Sequence, residues 1–229
     1  MIKSDLTKPL TMAHAGGIGH GRENTLEAVL AVNKHNPDII ELDIRKSKDG
    51  ILFCYHGTGI LGFIKAYFLQ FSSFSSIKKL IKVDTLEKIL SSIQDRKIFF
   101  LDIKQRNITS QDISDACNDD NHEIWIAAFS LKYLKKLKNE LGNKYKYIYN
   151  FGFLQFKKGL RKANKSGIDA FQIFSWQCNK TNTGMIGKLG LSFAIWIGFI
   201  SKKRYLELIN KYGSLWICKD SFPHEHKTA

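Results

Sequence analysis

The chain has 229 residues, 44% of them apolar, and a formal net charge of +14 at neutral pH. That apolar content excludes a disordered chain, and the length suits one sizeable core of the kind a single α/β barrel buries. The positive charge points to anionic partners (nucleic acid, an anionic membrane surface or a phosphate-bearing substrate) and says nothing about fold.

In chain order, the sequence predicts a strand at LTMAH (10–14), a helix over 25–35 and a strand at IIELDI (39–44). ILFCYH (51–56) follows KSKDG, whose Asp-Gly is a hairpin signal, so this run returns antiparallel to the strand before it. Helix 85–94, strand 98–104, helix 109–118, strand 124–129 and helix 131–141 come next. Strand 145–150, helix 153–165, strand 168–174, helix 180–189, strand 192–197, helix 201–212 and strand 215–219 complete the pattern. Strand–helix alternation implies a parallel sheet with helical crossovers. With the return strand set aside, eight parallel strands remain, the count of a TIM (β/α)8 barrel with an extra hairpin strand after strand two. The chain reads as a single domain, 1–229.

Cys54, Cys117, Cys178 and Cys218 form no CxxC pair and read as reduced thiols. The start of the chain lacks an apolar signal segment, so a cytoplasmic location is expected. The longest apolar runs, LSFAIWIGFI and ILGFIKAYFLQF, fall short of the roughly 18 residues a spanning helix needs.

Barrels of this type carry their chemistry at the C-terminal ends of strands. Strand 10–14 ends at His14, strand 39–44 carries Glu41 and Asp43, and strand 98–104 ends Asp102-Ile103-Lys104. If Asp49 and Gly50 form a two-residue turn, Asp43 faces His56; if the loop is Ser47 to Gly50, Glu41 does. Either register puts His56 beside the carboxylates. Three converging carboxylates repel one another unless a cation neutralises them, and oxygen-only ligands suit Mg²⁺ or Ca²⁺. Two histidines nearby supply a general base and a general acid. With a lysine and a basic exterior, the set suggests phosphoryl chemistry.

The motifs AHAGGIGHGRENTLEAV and ELDIRKSKDGILFCYHG resemble those of the glycerophosphodiester phosphodiesterases. The TLEKIL and FFLDIK segments, the apolar strand with Trp196 and the KDSFP segment are similar too. The resemblance implies a TIM barrel that hydrolyses glycerophosphodiesters to sn-glycerol 3-phosphate and an alcohol with one divalent cation. His14 and His56 match the paired catalytic histidines, and Glu41 and Asp43 match metal ligands. Asp102 stands where the family usually has a third ligand, Glu. Lys104 matches the phosphate-facing lysine, Glu23 an acidic residue near the metal, and Trp196 a wall of the substrate cleft. Asn24 with Glu27 reads instead as a capping-box-like helix start.

Two departures stand out. Ala15 replaces the family's phosphate-binding arginine, and Gly57 replaces the aspartate after the second histidine. Arg22, where the family often has proline, is expected to supply part of the phosphate grip that Ala15 cannot make. A lysophospholipase D-like or sphingomyelinase D-like activity on membrane lipid is one alternative. A non-catalytic barrel that binds phospholipid or phosphosugar is another. No clustered basic stripe with stacking aromatics occurs, so nucleic acid is not an expected partner. In residues 57–83, Phe63, Tyr67, Phe71 and Phe74 form a helical stripe flanked by Lys65, Lys78, Lys79 and Lys82. This segment reads as a lid or core helix, or as a peripheral contact with an anionic membrane through 60–74.

Overall fold

The computed structural model describes residues 8–57, 59–118, 121–151, 156–196 and 201–220. Its elements are β1 (Leu10–Ala13), α1 (Leu26–Asn33), β2 (Ile39–Lys46), β3 (Leu52–Cys54), α2 (Gly59–Leu69), α3 (Phe74–Leu80), α4 (Leu86–Ser91) and β4 (Ile98–Ile103). There follow α5 (Ser110–Ala116), β5 (Glu123–Ala128), α6 (Leu131–Leu141), β6 (Lys146–Asn150) and α7 (Phe156–Asn164). The chain ends with β7 (Ala170–Phe174), α8 (Lys180–Lys188), β8 (Phe193–Trp196), α9 (Lys202–Tyr212) and β9 (Trp216–Lys219). Strand order is β8-β7-β6-β5-β4-β2-β1-β9, with β3 bonded to β2 off this path. Setting β3 aside leaves the eight strands and helical crossovers of a TIM barrel, as the sequence predicts.

Contacts divide the chain into two compact units, residues 12–124 with 219–229 and residues 1–11 with 125–218. In the first, β2 runs parallel to both β1 and β4, with Met12 opposite Ile39 and Asp43 opposite Asp102. Seven of the eight β2 residues are buried, as expected of a strand covered on both faces. In the second, β5 to β8 are parallel neighbours. The Leu215 N–H donates to Phe193 O, and the Leu10 N–H donates to Leu215 O, both at 2.9 Å, which link the β9 segment to β8 and to the chain start. Trp125 and Trp216 pack 5.7 Å apart within this unit's core. Helices α1, α3, α4 and α6 begin at Thr25, Ser73, Thr85 and Ser130, each accepting an N–H on its side chain.

The hairpin register corrects both sequence alternatives. Ile44 pairs with Cys54 and Lys46 with Leu52, so Tyr55, not His56, falls opposite Asp43. A three-residue loop, Lys48 to Gly50, produces this register. Gly50 takes φ 89° and donates its N–H to Ser47 O at 3.1 Å, while the Ser47 N–H closes the ladder on Ile51 O at 3.0 Å. A left-handed glycine ending such a loop is a common three-residue hairpin solution.

Candidate functional site

Alternation along β2 sets Glu41, Asp43 and Arg45 on one face and Ile40, Leu42 and Ile44 on the other, all six buried. Parallel pairing of Asp43 with Asp102 brings those two side chains out together. Carboxylate oxygens of Glu41, Asp43 and Asp102 all lie within 4.8 Å of one another. Lys104 Nζ bonds Asp43 Oδ1 at 2.7 Å and also bonds Asp102. Burial and the Asp43 charge push Glu41 up to about 8. Burial pushes Asp43 upward too, but Lys104, His56 and the Asn24 amide outweigh it and hold Asp43 down to about 2. Burial raises Asp102, with Lys104 offsetting part of the shift. This buried, oxygen-only donor set with excess negative charge fits a hard divalent cation.

Two connections orient the carboxylates. Ala15, fully buried at φ 46°, donates its N–H to Glu41 Oε2 at 2.6 Å. Asn24 donates Nδ2–H to Asp43 Oδ2 and accepts the Asp43 N–H on Oδ1, both at 2.8 Å. This reciprocal pair corrects the capping-box reading of Asn24. The helix cap is Thr25, one residue on, and Asn24 itself is left-handed at φ 59° and buried.

His14 and His56 both belong to this assembly. His56 lies beyond the end of β3, where the chain has left the ladder, and its Nδ1 comes to 3.6 Å from Asp43 Oδ2. The expected neighbour is therefore right, although the predicted register is not. Arg45 donates to the carbonyls of Tyr55 and His56 at 2.9 Å each, fixing the backbone that carries the histidine. His14 Nδ1 lies 2.7 Å from Asp220 Oδ1. Burial works to lower the His14 pKa, but Asp220, Glu41 and Asp43 prevail and raise it to about 9. Sequence reasoning missed Arg45 and Asp220. An arginine in phase with Glu41 and Asp43 on a buried strand was a legible signal, and so was a carboxylate directly after the last barrel strand.

Arg22, Glu23 and Trp196 are the other expected site residues. Arg22 is exposed and lines a cavity of about 440 Å³ with Lys78, Lys79, Lys82 and Asp84, which none of the three clustered carboxylates or the two histidines lines. Glu23 is half-buried, directly before Asn24. Trp196 ends β8, half-buried, its ring edge-on to Phe174 at 5.1 Å.

Gly57, where the family has aspartate, takes φ 82°. A Cβ there would meet Gly62 O at 2.6 Å and Ala66 Cβ at 2.8 Å, so α2 sits directly on the backbone after His56. Gly57→Ala should cost at least about 2 kcal/mol, combining left-handed strain with displacement of α2. Gly50→Ala is the control, because Gly50 is also left-handed but has nothing within 4 Å of the added Cβ. Urea midpoints that fall equally in the two variants would show that the α2 contact contributes nothing.

Residues 14–64 match the model of the Glycerophosphoryl diester phosphodiesterase family. The glycerophosphodiester phosphodiesterase GDPD6 of Arabidopsis thaliana is 37% identical over 54 residues, 24% of this chain and 14% of that protein. The matched stretch therefore spans a small part of that relative. A Galdieria sulphuraria structure gives a TM-score of 0.77 at 19% identity, covering 95% of this chain and 96% of the other. A Thermotoga maritima glycerophosphodiester phosphodiesterase gives 0.76 at 19% identity, covering 93% and 95%. An Oleispira antarctica phosphodiesterase in complex with the product sn-glycerol-3-phosphate gives 0.74 at 16% identity, covering 93% of each chain. These structures share the barrel fold.

Proposed function

We propose that this chain belongs to the glycerophosphodiester phosphodiesterase family and hydrolyses glycerophosphodiesters to sn-glycerol 3-phosphate and an alcohol. The reading rests on one observation: two histidines, each paired with a carboxylate, and a lysine gather at three clustered buried carboxylates. Glu41, Asp43 and Asp102 would hold one divalent cation, Mg²⁺ or Ca²⁺. When bound, it supplies positive charge to the phosphate oxygens and favours attack at phosphorus.

The chain's own groups divide the remaining work. Lys104 brings a second positive charge to the phosphate. His14, with Nδ1 engaged by Asp220, keeps Nε2 for the substrate and stays protonated at neutral pH, so it serves as the general acid. Its proton goes to the oxygen of the departing alcohol. His56, with Nδ1 toward Asp43, uses Nε2 as general base and takes the proton of the nucleophile, either water directly or the neighbouring glycerol hydroxyl, whose cyclic phosphate a water then opens to the monoester. Glu23 completes the substrate-binding set in this reading.

The exposed apolar side chains of α2 favour a second reading, peripheral contact with an anionic membrane through 60–74 and a lysophospholipase D-like activity. The four cysteines are free thiols, which supports a reducing, cytoplasmic setting. Among the described residues no helix is long and apolar enough to cross a membrane. The deciding assay presents glycerophosphocholine, glycerophosphoethanolamine and lysophospholipids to the purified chain with Mg²⁺, Ca²⁺ or chelator, and measures the released headgroup. Release from the soluble diesters is expected. Binding without release from any of them would make the protein a phosphate-binding barrel.

A further inference from the structure

The excursion that follows His56 has two sides. Leu69 of α2 and Ile77 of α3, with Ile81 beyond it, are buried with Phe53 in one apolar cluster, so both helices are seated on β3. The outer side is unpartnered among the described residues. Leu61 is 83% exposed, Phe68 63% and Phe71 60%, and Ile64 is exposed as well. Residues 61, 64 and 68 follow helical spacing and form one apolar face on α2, and Phe71 follows in the turn after it. The side chains of Ile60 and Phe63 lie outside the described residues. Tyr67 meets Phe68 and Phe71 edge-on at 5.7 and 5.6 Å, making an aromatic group at the end of that face.

The same excursion carries a strongly basic cavity. Leu80, 64% exposed at the end of α3, lines the 440 Å³ cavity of Arg22, Lys78, Lys79 and Lys82. Asp84 in its wall is already engaged, accepting from the Leu26 N–H at 2.9 Å and from Lys88 at 2.9 Å. Lys82 pairs with Glu27. Arg22 and Lys79 have no acidic partner among the described residues. Apolar side chains held outward beside uncompensated cations suit one kind of partner, a surface with an apolar layer under anionic phosphate groups.

We propose that the outer α2–α3 face is a docking surface for an anionic phospholipid bilayer, with a lipid phosphate group received in the Arg22–Lys79 cavity. Leu61, Phe68 and Phe71 enter the acyl boundary, and Lys65, Lys78 and Lys79 lie at headgroup depth. A second copy of this chain is a poorer occupant, because it would bring the same lysines together. The inference bears on substrate class only through the proposed phosphodiesterase reading. The docking itself is measured without turnover.

The test is sedimentation of the full chain with vesicles of phosphatidylcholine alone or mixed with phosphatidylserine, at low and high salt. The wild type should sediment with the mixed vesicles at low salt, remain in solution with pure phosphatidylcholine, and be released by salt. Removing two headgroup charges by Lys78→Gln, Lys79→Gln should weaken binding about thirtyfold, which is about 2 kcal/mol. Leu61→Ser, Phe68→Ser, Phe71→Ser should weaken it at least as much. Both variants should keep the wild-type rate on soluble glycerophosphocholine, which also certifies their folding; circular dichroism certifies it if the chain proves inactive. A wild type that stays in solution overturns the proposal, as does equal binding to both vesicle types. A folded apolar variant that still sediments overturns it too, and so does a dimer that the apolar variant dissociates.

Discussion

His14→Gln and His56→Gln should each lower kcat on a soluble glycerophosphodiester by about 10²- to 10⁴-fold, the usual span for removal of a general acid or base. Neither ring is part of the apolar core, so both variants should stay folded; His14→Gln should lose the stability of the pairing with Asp220, and His56→Gln should change the melting temperature little. The two variants differ in what their partners reveal. His14 is raised to about 9, against burial, mainly by its bond to Asp220. An acid held up by Asp220 keeps its proton through neutrality, and the alkaline limb of the rate profile should lie above the ordinary histidine range. Asp220→Asn keeps a hydrogen-bonding side chain but removes the charge. It should move that limb down toward the ordinary histidine range, about 6.5, with a smaller loss of kcat at pH 6. The stability contribution has a definite sign. A histidine raised on folding stabilises fully below its unfolded value and loses that contribution as pH rises through about 9. An Asp220→Asn profile that overlays the wild type would remove Asp220 from the mechanism.

Withdrawal of divalent cations should abolish turnover and lower the melting temperature together. Binding at a hundred times Kd stabilises by about 2.7 kcal/mol, and in a chain of this size that moves the melting point by about 5–10 °C. Glu41→Gln sharpens the test. Glu41 is raised to about 8 by burial and Asp43, so its charge costs stability in the metal-free protein. The variant should melt at or above the metal-free wild type yet lose the cation-dependent rise and the activity. Chelation that changes neither turnover nor melting, or a full cation response in Glu41→Gln, would separate the carboxylate cluster from metal binding.

Much of this arrangement was legible in the residues. Strand ends fall within two residues of expectation because β-branched and aromatic runs stop at turn formers, and the helices follow from a 3.6-residue period. The convergence of Glu41, Asp43 and Asp102 needs only strand alternation and parallel neighbours. What escaped depended on local geometry or on distance along the chain. The hairpin register turned on whether the loop held two, three or four residues, and Lys-Asp-Gly is compatible with the one that formed. Asn24 was ambiguous because the amide that caps a helix can equally pair with a buried aspartate, and a neighbouring threonine left it free to do so. Arg22 was assigned by proximity in sequence to the first motif, and the lysines that share a cavity with it, Lys78 and Lys79, lie far along the chain where periodicity does not reveal them. Asp220 has no local relation to His14 at all.

That last separation sets an order on the making of the enzyme. Arg45, Asn24 and Lys104 organise the carboxylates and His56 from residues 14–104, all of which leave the ribosome early. The Asp220 side chain that holds the His14 ring arrives 206 residues after it, and the Asp220 carbonyl accepts the Gly19 N–H at 2.6 Å in the same docking event. A nascent chain can therefore assemble its carboxylate cluster well before its His14 ring is set. In this reading the emerging polypeptide reaches its full hydrolytic rate only once Asp220 docks, and a chain cut before residue 220 should hold the cation with its His14 ring unsupported.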